Sequence, residues 1–150
     1  MNGHLKGFPD LPPIWALGAL VASWILATYV PVMHLRSSLW LALAFIVLGM
    51  GLIAWTAWYF FERATPIMPR EVPSTLLIAG PFRINRNPIY TGMLLILVGF
   101  AIWFGAFSAW LPVLAFPFVI TSRFILGEEA GLRAAFPGEA AAYLQKSRRW

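Results

Sequence analysis

Residues 11–33 (LPPIWALGALVASWILATYVPVM) and 39–61 (LWLALAFIVLGMGLIAWTAWYFF) contain no formally charged side chain. Each is longer than the roughly 20 residues that carry a helix across about 30 Å of hydrocarbon. In a bilayer interior the backbone N–H and C=O groups have no water to bind, so such segments satisfy them internally, as helices. The rest of the chain agrees: 60% of the 150 residues are hydrophobic and 11% charged, far from the balance of a soluble domain. The expectation is an all-α integral membrane protein of one domain.

Two further apolar blocks, 88–107 and 109–126, are separated by little more than Ser108 and predict a tight helical hairpin, giving about four spans. Pro112 and Pro117 predict kinks in the last span, tolerated because neighbouring groups can satisfy the freed carbonyls. The first apolar segment is longer than a signal-peptide core and lacks a small-x-small exit, so it is expected to be retained. There is no cysteine, which removes disulfides, thiolate metal sites and a catalytic thiol; no metal centre is expected.

The basic residues orient the chain. With both termini cytoplasmic, only Arg36 of the eleven lysines and arginines faces outward, as the positive-inside rule asks. The expected location is the bacterial inner membrane, multi-pass. The outward parts are the 34–38 loop and the turn near Ser108. Because the basic residues spread along a membrane face, the net charge of +5 points to anionic lipid headgroups and not to nucleic acid. All six acidic residues (Asp10, Glu62, Glu71, Glu128, Glu129 and Glu139) also lie outside the spans. Ion pumps and proton relays place ionisable groups within the bilayer, so that class is disfavoured.

Chemistry is therefore expected near one interface. The segment 62–87 is too long for a connector and, with Pro66, Pro69, Pro73 and Pro81, too proline-rich for one helix; it predicts a functional loop or re-entrant cap. Gly49-Met50-Gly51 lies inside a span and reads as helix packing, not as a dinucleotide fingerprint. His34 reads as an interfacial residue. Beyond the fourth span, residues 127–150 predict a short helix, a break at Pro137-Gly138 and a second helix ending in a basic cluster. Glu129 and Arg133 are spaced i, i+4, which predicts a surface ion pair; Glu128 shares a face with Leu132 and is expected to point inward.

The stretch GPFRINRNPIYTG, residues 80–92, resembles a signature of the isoprenylcysteine carboxyl methyltransferase and phospholipid methyltransferase group, G-P-[YF]-R-x-x-R-[HN]-P-x-Y-x-G at the opening of a spanning helix. Glu128, Glu129, Leu132, Phe136, Gly138, Tyr143, Arg149 and Trp150 match that group's second pattern, so the resemblance covers roughly residues 65–150. It implies an S-adenosyl-L-methionine-dependent methyltransferase, with the cofactor enclosed by the loop, the last spans and the C-terminal helices. The cofactor contacts it implies are Ser74, Thr75, Leu76, Leu77, Phe82, Asn87, Pro88, Ile89, Tyr90 and Glu128. Arg86, Tyr90 and Glu128 are the implied catalytic residues. Arg86-Asn87-Pro88 replaces the R-H-P of eukaryotic carboxyl methyltransferases and resembles bacterial members, which argues against a prenylated-protein substrate. An arginine that those enzymes place before the glutamate falls on Phe124, leaving the adjacent Arg123 as the substrate-binding candidate.

Those residue types suit the implied chemistry. Displacement at a methyl sulfonium needs alignment of donor and nucleophile and exclusion of bulk water. Pro88 would pin a helix start whose free N–H groups and dipole favour a carboxylate, with Arg86 adding charge there. Asn87 can donate and accept, Glu128 can hold an ammonium or a ribose hydroxyl, and Phe82 and Tyr90 offer aromatic faces. The acceptor is expected to be a membrane lipid or another lipophilic small molecule. A carboxylate or thiolate nucleophile would need little base catalysis, whereas an amine must first lose a proton, and no histidine stands in the motif. Two rival readings remain at this level: an NADPH-dependent membrane reductase of related architecture, and a non-enzymatic membrane scaffold. The oligomeric state is not legible.

Overall fold

A computed structural model describes residues 10–65 and 75–150; Ser74 and most of the proline-rich segment lie outside them. The described residues are helical throughout, apart from turns and one isolated antiparallel bridge between His34 and Ala106. Helix α1 (Pro12–Tyr29) starts on a proline in its first turn, where the missing N–H costs nothing. Helix α2 (Leu39–Glu62) is capped by Ser38, whose hydroxyl accepts from the Leu41 N–H. Helix α3 (Pro88–Phe104) opens on Pro88 and stops at Gly105, whose φ of +66° is the left-handed conformation that glycine adopts without a steric penalty.

A short turn at Phe107–Ala109 leads into α4 (Trp110–Ile120), and a single wide π-type turn at Thr121–Ile125 joins it without a break to α5 (Leu126–Ala135). Helix α6 (Glu139–Lys146) follows Gly138, at φ +87°. The break expected at Pro137-Gly138 is present. The two expected kinks differ from expectation. Pro117 is interior to α4, but Pro112 sits in the first turn, where no intrahelical bond is lost and no kink is required.

Three helical stretches, α1, α2 and Phe107–Ala135, are long and apolar enough to cross a membrane, and α3 is a shorter apolar helix. Leu43, Val47, Leu48, Trp55 and Trp58 of α2 are exposed, an outward face suited to hydrocarbon and not to water. The molecule is an all-α membrane protein.

Helices α2 and α3 make the closest contact. A Cβ built on Gly49 would lie 2.5 Å from the Gly92 carbonyl oxygen, and one on Gly92 would lie 2.7 Å from that of Gly49. Small residues let membrane helices approach to this distance, where dispersion replaces the missing hydrophobic drive. Gly49 is thus a packing residue, as its position within a span implies. A second core joins α3 to α4 through Leu97, Ala101, Val113, Phe116, Ile120 and Phe124, with α1 laid against it through Trp15, Ala19 and Leu20.

The connections sort to two ends. At one, the Leu35 N–H donates to the Gly105 carbonyl at 2.8 Å and the Phe107 N–H to that of Val32 at 3.0 Å. Ser108 belongs here, but it is buried, its hydroxyl donating to the Leu26 carbonyl at 3.1 Å. The exposed group of that turn is Phe107. The 79–87 segment, α5, α6 and residues 147–150 gather at the other end.

Candidate functional site

The site is built where the start of α3 meets α5 and the segment after α6. Asn85 is buried and organises the approach: its Oδ1 accepts from the Asn87 N–H at 2.9 Å, and its Nδ2 donates to Thr91 Oγ1 at 2.8 Å. These bonds fix the turn into Pro88, where Asn87 sits at φ −128° and ψ 58°, outside the α region that proline disfavours for the residue before it. The Asn87 amide then donates to the Arg149 carbonyl at 2.9 Å, and the Arg86 N–H to the Arg148 carbonyl at 2.8 Å. Residues 147–150 are strapped across the beginning of α3. Trp150 secures the far end, its indole N–H donating to Thr121 Oγ1 at 3.2 Å, within the wide turn.

Beneath the strap, Tyr90 is buried and its hydroxyl donates to Glu128 Oε1 at 2.6 Å, a short bond to a charged acceptor. Glu128 therefore does point inward, toward α3. Its neighbour departs from expectation. Glu129 is not a surface residue satisfied by Arg133: its side chain is 6% exposed, and the Arg133 contact is its longest at 3.9 Å. Arg149 grips it with two parallel bonds, Nε to Oε1 and a terminal nitrogen to Oε2, each 2.8 Å, and Arg86 lies 3.3 Å from Oε1. The i, i+4 spacing correctly pairs Glu129 with Arg133, but burial favours the two partners that arrive from distant sequence. The hydrogen bond to Glu129 holds Arg149 still further into its cationic form.

Arg86, 14% exposed on its side chain, carries one unmet group: its Nε–H is buried with no acceptor among the described residues. A buried guanidinium donor is expensive to leave unpaired, so an acceptor that reached it would be bound favourably.

The expected site residues thus fall into three places. Arg86, Asn87, Pro88, Ile89, Tyr90 and Glu128 come together. Leu77 and Phe82 pack on α2 instead, with Leu76 next to them in sequence: Leu77 and Phe82 are buried with Tyr59, and Phe82 meets the Tyr59 and Phe60 rings at centroid distances of 6.2 and 5.6 Å. The Thr75 hydroxyl is 3.1 Å from that of Thr65. The Tyr143 hydroxyl donates to the Phe82 carbonyl at 3.4 Å and so joins this group to α6; burial pushes the Tyr143 phenol above its ordinary pKa. Arg123 stands apart against α1, its Nε donating to Asp10 at 3.1 Å. Ser74 lies outside the described residues.

Sequence reasoning assigned no role to Asn85, matched Arg149 to a pattern without giving it a partner, and read Glu129 as a surface ion pair. A signal was available: Arg86, Arg148 and Arg149 form an excess of cations with few acidic partners nearby in sequence. A second carboxylate beside Glu128 is where such an excess would be neutralised.

A family model described as phospholipid methyltransferase matches residues 37–138, which take in α2, α3, α4 and α5. An uncharacterised protein of Haemophilus influenzae is 42% identical over 62 residues, 41% of this chain and 98% of that protein. No solved structure matches.

Proposed function

Since the chain belongs to the phospholipid methyltransferase family and is a membrane methyltransferase, we propose that it transfers a methyl group from S-adenosyl-L-methionine to a lipophilic acceptor at the cytoplasmic interface. The observation that carries the cofactor assignment is the pairing, under one strap, of a buried and unmet Arg86 Nε–H with the Tyr90–Glu128 hydrogen bond. This donor set fits the cofactor's methionyl part: Arg86 and the first turn of α3 suit its carboxylate, and Glu128 suits its ammonium. S-adenosyl-L-methionine would supply an electrophilic methyl group on a sulfonium centre. Tyr90 fixes the rotamer of Glu128, and Glu129 fixes Arg86 from behind, so both charged groups would be aimed before the ligand arrives. The strap and α6 would shield them from bulk water, which strengthens each electrostatic contact.

Two-ligand thermal titration of the purified protein tests this. S-adenosylhomocysteine should raise the melting temperature, by the equivalent of about 2.7 kcal/mol at a hundred times its Kd, and NADPH should not. Arg86→Ala should weaken that binding at least tenfold. Stabilisation by NADPH alone would move the chain to nicotinamide chemistry, and a response to neither would leave a scaffold. Lipid extracts incubated with isotopically labelled cofactor, read by mass spectrometry, then identify the acceptor.

The same proposal places both termini in the cytoplasm of a bacterial inner membrane, with the 34–38 loop and Phe107 outside. Cysteine introduced at Ser37 or Phe107 is expected to react with an impermeant maleimide in intact spheroplasts. Labelling at both sites only after lysis would reverse the topology.

A further inference from the structure

A groove of about 520 Å³ runs between α1 and α4, on a different flank of the last span from the one that carries Glu128. Its floor and walls are almost wholly apolar, with Gly18 and Phe116 midway and Ala22 and Pro112 at the far end; Asp10 and Arg123 stand at its mouth. From Arg123 to Pro112 the helix advances about 16 Å at 1.5 Å per residue, half of the roughly 30 Å hydrocarbon thickness. The groove is therefore as deep as one leaflet, and among the described residues its charged end is the one nearest the interface that carries Glu128 and Arg86.

The mouth is a fixed device. Trp15 donates its indole N–H to Asp10 Oδ1 at 2.9 Å, Arg123 donates Nε to the same oxygen at 3.1 Å, and the guanidinium carbon lies 4.9 Å from the Trp15 ring centroid. Stacked and tethered in this way, the guanidinium plane has lost its rotational freedom. Its two terminal nitrogens donate to no described residue, and the side chain is 48% exposed. Two parallel N–H donors at the charged end of an apolar channel suit a lipid oxyanion with an acyl chain beneath it, and a phosphodiester is the oxyanion that a glycerophospholipid headgroup presents.

We propose that this groove binds one glycerophospholipid, its phosphate on the Arg123 terminal nitrogens and one acyl chain laid along Gly18 and Phe116. The site is separate from the methyl-transfer site, and its occupancy does not depend on the cofactor assignment. Arg123 then serves lipid recognition at a distance from Glu128.

Native mass spectrometry of the delipidated protein in maltoside detergent tests this, with palmitoyl-oleoyl phosphatidylglycerol and diacylglycerol of the same chains as probes. One phosphatidylglycerol should bind at least tenfold more tightly than diacylglycerol, and Arg123→Gln should abolish that difference. A Cβ on Gly18 meets nothing within 4 Å, so Gly18→Leu is accommodated by the groove and should weaken both lipids at least tenfold. Ala115→Leu fills the groove from the opposite wall and takes the place of Gly18→Leu should the latter fail to extract as a monodisperse species. Unchanged lipid binding in the groove-filling variant, or diacylglycerol bound by the parent as tightly as phosphatidylglycerol, overturns the proposal.

Discussion

Glu129→Gln is expected to destabilise the protein by about 3 kcal/mol, the lower end of the roughly 3–5 kcal/mol that follows removal of one partner from a buried ion pair. The reason is the position of the charges left behind. Arg86 is nearly buried and would lose its carboxylate, whereas Arg149 and Arg133, with side chains 37% and 57% exposed, can turn to water. Arg133→Ala should therefore cost only about 0.2–0.5 kcal/mol, the range of an exposed i, i+4 pair. Thermal unfolding in detergent at fixed lipid content compares the two. Equal small losses would return Glu129 to the role of an ordinary surface ion pair and remove the basis for its holding Arg86.

The second large effect concerns the adjacent carboxylate. Glu128→Gln keeps the size of the side chain and its contact with Tyr90 but removes the charge. If Glu128 holds the cofactor's ammonium, the lost charge-assisted bond is worth about 1.5–3 kcal/mol, which is about ten- to a hundredfold in affinity for S-adenosylhomocysteine. Tyr90→Phe should lose part of the same amount by freeing the Glu128 rotamer, and the double variant should fall short of the sum, since the two side chains share one bond at 2.6 Å. Calorimetry on the two single variants and the double measures this. Parent-like affinity in Glu128→Gln would eliminate Glu128 as a ligand, while additive losses would show that Tyr90 acts independently of it. The two adjacent glutamates are thus expected to separate cleanly: Glu129→Gln chiefly affects stability and Glu128→Gln chiefly affects affinity.

Much of this molecule was legible in one dimension because the bilayer leaves so few options. Uncharged runs at 11–33 and 39–61 have one way to satisfy their backbone groups, so the helices followed from composition and length alone. Pro88 marked the opening of α3 for local steric reasons, whereas α3 stops at Phe104, short of the expected boundary at 107, because Gly105 takes the left-handed conformation. The meeting of residues 80–92 with the glutamate pair was also readable, though through a family resemblance and not through spacing.

What a charged side chain pairs with was decided only in three dimensions. The i, i+4 rule finds partners on one helix, but it cannot weigh Arg133 against Arg86 and Arg149, which lie 43 and 20 residues from Glu129 in sequence. Burial made that choice, because a desolvated carboxylate is stabilised far more by two close guanidinium groups than by one at 3.9 Å in contact with solvent. The same holds for Arg123. The family resemblance, which places an arginine before the glutamate, made it the substrate-binding candidate, while the wide turn at Thr121–Ile125 and the packing of α4 on α1 set it beside Asp10 and Trp15. Local rules determine where a helix begins and ends, whereas the direction in which a charge faces depends on which helices pack around it.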